Sequence, residues 1–276
     1  MLLSTPAKAL KKEANRRRKL WDEDSPDKNK AGNRLVIIGY DGDKKYENVP
    51  SYIPGDTIKK VNGKTMALIE FFVHSPFKDS LVKGRAESDK NVTSIVMQAR
   101  FKKSSWDTKP SALYLFGGDA DHYIWEEIQN QSSAHNNGEK LDFDIFLAPH
   151  HCSWTYFNDV PYKKEETDEA VESSKKLIKD HKVSGAVIIA SSKQINDDDD
   201  NPPHYPAKKE YIKLIGSSDK FISLAEEPDS KNSKPVVYVV TSNGFQRKDK
   251  NQQTGSAGAA IGSSGTSGRK STYGSK

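Results

Sequence analysis

The chain has 276 residues and is polar for its size: 34% of its residues are hydrophobic, 29% are charged, and the mean hydropathy is -0.79. No apolar run approaches the ~20 residues that a membrane span needs, and the basic N-terminus lacks the apolar core of a secretory signal, so a cytoplasmic protein with no membrane partner is expected. A single cysteine, Cys152, excludes an intrachain disulfide and fits a reducing compartment. The net charge of +5 lies in the segment after Phe245, leaving the rest of the chain balanced.

Residues 5–21 predict a helix. Thr5 can cap it, Pro6 suits the first helical position, and Ala, Lys and Arg favour its continuation. Lys8, Lys11, Lys12, Arg16, Arg17, Arg18 and Lys19 make it basic. The bland reading is a solvated helix with Leu10, Leu20 and Trp21 packed inward, and the sharper one is a phosphate-binding face for nucleic acid. Residues 1–33 are therefore read as a basic helix and a charged linker.

Strands are expected at 34–40, 57–61, 67–74 and 91–101. Those at 57–61 and 67–74 would pair around the Asn62-Gly63 turn. His74 ends one of these strands before Ser75-Pro76, where a lone histidine more often caps a loop than binds a metal. Strand Leu113–Phe116, a helix from Ala120 to Ile128, strand Phe143–Ala148, a helix over 165–182, strand Val183–Ala190, a helix from Ala207 to Ile215 and strands at 221–224 and 236–241 follow. This alternation predicts a layered α/β domain. From 245 onward the Gly, Ser and Thr content predicts a flexible basic tail.

The chemistry gathers at two strand ends. One reads Gly117-Gly118-Asp119-Ala120-Asp121-His122, the other Pro149-His150-His151-Cys152-Ser153. Carboxylates and imidazoles at the ends of consecutive buried strands suit zinc, manganese or iron. Asp119 and Asp121 equally suit a helix N-terminus. The run Asp197–Asp200 lacks the alternating ligands and glycine of a calcium loop and reads as solvated surface.

Three motifs in order, Gly118-Asp119, Pro149-His150-His151-Cys152-Ser153 and Asn201-Pro202-Pro203-His204-Tyr205-Pro206, resemble the later half of a metallo-β-lactamase-fold hydrolase. The resemblance is nearest to the ComEC-like competence-protein branch and covers roughly 34–244. It implies an incomplete αββα sandwich, with Asn91 and Ser94 near the site. Metal ligands would come from Asp119, Asp121, His150 and His151. His204 and His151 would face substrate or move a proton, and Cys152 stands where the family has glycine. It further implies a divalent metal, zinc before manganese, and phosphodiester hydrolysis of a nuclease-like kind. The family's upstream His-x-His-x-Asp-His loop is absent from the sequence, so a second chain carrying that half is the expected partner. The alternative is a catalytically inactive remnant that serves as a binding or regulatory module, with nucleic acid as its candidate ligand.

Overall fold

The computed structural model describes residues 5–39, 46–78, 90–158, 169–198 and 202–248. Helix α1 (Thr5–Asp22) buries none of its residues, and Leu10 is largely exposed. Its basic charge is partly matched locally. Glu13 pairs with Arg16 at 2.8 Å and Arg17 at 2.9 Å, and these two guanidiniums hold its carboxyl down at about 2. Arg17 Nη1 also donates to the Arg34 carbonyl, tying the helix to the linker that follows.

Short strands β1 (Ile37–Ile38) and β2 (Ser51–Tyr52) pair in parallel, so only two residues of the strand expected at 34–40 are extended; Tyr40 lies outside the described residues. Strands β3 (Thr57–Ile58), β4 (Lys60–Val61), β5 (Lys64–Thr65) and β6 (Ile69–Ser75) come next. The Asn62-Gly63 turn joins β4 to β5, while β3 pairs antiparallel with β6. The expected hairpin is therefore two nested pairs. Both turn residues have positive φ, 55° and 76°, as a two-residue hairpin turn requires.

Strands β7 (Val96–Phe101), β8 (Ala112–Phe116), β9 (Phe143–Leu147), β10 (Lys182–Ala190) and β11 (Phe221–Ser223) complete a seven-stranded mixed sheet in the order β11-β10-β9-β8-β7-β6-β3. The four strands β8 to β11 are mutually parallel, and the others are antiparallel. Helices α2 (His122–Ala134), α3 (Glu172–His181) and α4 (Tyr205–Ile215) provide the three crossovers. Each crossover moves one strand in the same direction along the sheet. With a uniform hand of crossover, all three helices then fall on one face.

That face holds the main core. Trp125 of α2, Phe146 of β9, Tyr156 and Phe157 of the following loop and Tyr211 of α4 form one aromatic cluster, with Tyr156 and Tyr211 stacked at 5.5 Å. The opposite face is covered in part by a hairpin of β12 (Tyr238–Thr241) and β13 (Gly244–Arg247). Its Phe245 meets Phe101 at 5.3 Å and Tyr114 at 6.5 Å. Strand β13 carries the folded body past the boundary expected at 244, and the tail reading concerns residues outside those described. The chain is thus α/β, built on one mixed sheet.

Candidate functional site

In a sheet of parallel strands linked by helices, ligands gather beyond the carboxyl ends of the strands. Here the ends of β8, β9 and β10 lie side by side, joined by the start of β7, because Met97 is the register partner of Phe116. The sequence places its acids and histidines at this edge.

Gly117 and Gly118 let three chain segments meet there. A Cβ on Gly117 would lie 2.6 Å from Pro149 Cγ and 2.8 Å from the Leu147 carbonyl oxygen. A Cβ on Gly118 would lie 2.8 Å from the Ile95 carbonyl oxygen, and the residue has φ of +54°. The Asp119 N–H donates to Ser94 Oγ at 3.2 Å, and the His150 N–H donates to the Gly118 carbonyl at 2.8 Å. Ser94 is thereby at the site, as expected. Asp119 itself is exposed at the strand end.

Asp121 is buried and forms the N-cap of α2, its Oδ1 accepting the Ile124 N–H at 3.1 Å. The structure therefore gives it the helix-start role considered beside the ligand role.

The loop after β9 turns sharply. His150, His151 and Cys152 all have positive φ, 47°, 56° and 70°. Three consecutive non-glycine residues in this region carry a backbone cost of about 1–3 kcal/mol each, and strain of this kind concentrates at functional sites. The loop is held from behind by Trp154, Tyr156 and Phe157, all buried, and by a reciprocal pair in which Tyr156 OH donates to the Ser174 carbonyl and Ser174 Oγ to that of Tyr156.

The turn splays the two histidine rings, whose centroids are 6.4 Å apart. His151 Nδ1 lies 2.7 Å from the Ser191 carbonyl oxygen at the end of β10. A carbonyl only accepts, so Nδ1 carries a proton, and in the neutral ring Nε2 holds the lone pair, the form a metal ligand takes. His150 Nδ1 is a long 3.5 Å from Thr155 Oγ1, which itself donates to Ser153 Oγ.

His204, just before α4, joins this loop twice. Its N–H donates to the Cys152 carbonyl at 3.0 Å, and its Nδ1 accepts the Trp154 N–H at 2.9 Å. A backbone N–H only donates, so neutral His204 holds its proton on Nε2. It is a hydrogen-bond donor in this state and not a metal ligand through that atom. Burial, and next the charge of nearby His150, push its pKa down, against an opposing pull from Asp198. Burial raises the Cys152 thiol well above its ordinary value, so it stays protonated as a small core residue.

The structure thus brings His150 and Ser94 to the end of β8, ties His204 to the loop that carries His150 and Cys152, and fixes the tautomer of His151 in its neutral form. It does not bring Asp119, Asp121, His150 and His151 into one ligand set: among the described residues no three His, Cys, Asp or Glu side chains gather as a metal site. Sequence reasoning quoted Ser153 in its motif without a role and passed over Thr155, whose N–H takes the Ser153 hydroxyl as acceptor in a hydroxyl-to-backbone turn, and Asp198 was read with its neighbours as surface. No described helix is long and apolar enough to cross a membrane. Comparisons with protein-family models, curated proteins and solved structures find no match for this chain.

Proposed function

We propose that this chain is the later half of a metallo-β-lactamase-type hydrolase that cleaves phosphodiesters with a divalent metal, zinc before manganese, and that a second chain completes its metal site. The observation that supports this most is the double attachment of His204 to the strained histidine loop, itself attached to the Gly118 end of β8. One helix layer packed on one mixed sheet also suits half of an αββα sandwich.

Among the described residues no metal site forms from this chain's side chains alone. The Asp119 carboxylate and His151 Nε2 are donors of the right chemistry, but a catalytic zinc takes three protein ligands. The rest would come from the partner's His-x-His-x-Asp-His loop. The chain's own contribution is then positional. His204 Nε2–H would donate a hydrogen bond to a substrate phosphate oxygen and stabilise the charge that develops there. His151 is oriented through Ser191, and Asp119 is presented at the helix start.

The test is metal content by mass spectrometry on the purified chain, alone and with chains that co-purify from its native cell extract, together with hydrolysis of bis(p-nitrophenyl) phosphate. Stoichiometric metal and turnover in the two-chain preparation, both lost in Asp119→Ala, are expected. No metal and no turnover in either preparation would overturn the reading.

The lack of a three-ligand group among the described residues favours a second reading, an inactive module that binds nucleic acid through the same histidine donors and α1. Metal-independent DNA binding that weakens steeply with salt would select it.

A further inference from the structure

Away from the histidine loop, a cavity of about 470 Å³ opens between β6 and α2, on the helix face of the sheet. Its size falls within the roughly 300–1,000 Å³ of small-molecule sites. Phe72, Phe77, Ile53 and Ile128 supply flat and aliphatic walls, and Gln131 and Ser132 supply amide and hydroxyl groups. No Asp or Glu is among the described residues that line it.

His74 is the one deeply buried imidazole on this wall, at 3% exposure. Its Nε2 lies 2.9 Å from the Lys140 carbonyl oxygen and must donate to it. Nδ1 is therefore an unprotonated acceptor, and among the described residues nothing donates to it. The ring is fixed edge-on to Phe72 at 4.9 Å. Burial holds its pKa down at about 4, against the opposing pull of its hydrogen bond to the Lys140 carbonyl, so the ring is neutral at pH 7. A ligand N–H or O–H in the cavity would supply the donor that this acceptor lacks. An anion would meet the lone pair, and a cation would meet Lys78, which also lines the cavity. Flat rings match the Phe72 and Phe77 walls.

We propose that this cavity binds a small neutral aromatic molecule through one hydrogen bond donated by the ligand to His74 Nδ1. The probes are indole and 1-methylindole, which differ in that donor, titrated at pH 7 into the whole chain and followed by the imidazole NMR signals of His74. Indole is expected to bind saturably and shift those signals, with 1-methylindole about tenfold weaker, the effect of one hydrogen bond. In His74→Phe the two should bind alike. In Ser132→Phe, which fills the cavity without altering the histidine, neither should bind. Equal affinities in the unaltered chain, no saturable binding of indole, or undiminished binding in Ser132→Phe would each overturn the proposal.

Discussion

Single residues here carry consequences that can be measured. His74 is neutral and buried, with a pKa near 4 against 6.5 in the unfolded chain. Below pH 6.5 the unfolded chain takes up a proton that the fold refuses. Stability is therefore full above 6.5 and declines as the pH falls towards 4, by on the order of 3 kcal/mol. His204 shifts in the same direction. Urea unfolding at pH 7 and 4.5 checks this: His74→Phe should flatten the difference markedly, and an unchanged difference would refute the assignment. Cys152, with φ of 70°, sits where glycine is most at ease. Cys152→Gly should hold stability to within ~1 kcal/mol, because relief of the backbone offsets the lost thiol, whereas Cys152→Ile should cost ~3 kcal/mol by placing a branched side chain in a left-handed, close-packed position. Thermal unfolding of the two variants separates these outcomes. Sequence alone marked His150, His151 and His204 as chemistry-bearing, because adjacent histidines at a strand end stand out. It could not tell which ring nitrogen each would offer. That depends on Ser191 and on Trp154, which are 40 and 50 residues from the histidines they contact.

Among elements, β8, β9 and β10 were legible because buried parallel strands are continuous apolar runs. Strand β13 was not. Gln246 and Arg247 read as the start of the polar tail, and Phe245 supplies the large apolar contact of this strand. That one ring touches Phe101, Tyr114 and Tyr238. Phe245→Ala should cost ~2 kcal/mol, less than a fully buried phenylalanine because the residue is half-exposed. It should also speed hydrogen exchange in β12 before that in β9. Simultaneous exchange would mean that the hairpin belongs to the central cooperative unit. The end of α2 was also misjudged: the helix runs to Ala134, six residues beyond the expected Ile128, because Gln129, Gln131 and Ser132 look like loop. Gln129 instead reaches the carbonyls of Trp125 and Ser173, and Ser132 is buried.

For the molecule as a whole, the stabilising mass is the helix-faced core, and α1 contributes little to it. Deletion of residues 1–33 should change the free energy of urea unfolding of the body by less than ~1 kcal/mol, since no residue of α1 is fully buried. A larger loss would mean that the linker bonds from Arg16 and Arg17 matter to the fold. The layered α/β class could be read from the alternation of runs. The one-sided placement of the helices could not, since it follows from strand order, which is set by pairings between distant segments.

The sheet also tapers. Its strand β10 has nine residues, while the outermost strands, β11 and β3, have three and two. Such short margins offer almost no ladder of open backbone groups for an incoming strand. A completing subunit of the kind proposed above would therefore have no seam to extend and would have to lie across the sheet or cap the loops at its end. Amide exchange in β3 and β11 should then be indifferent to such a partner, while the amides of 150–155 would slow on its docking.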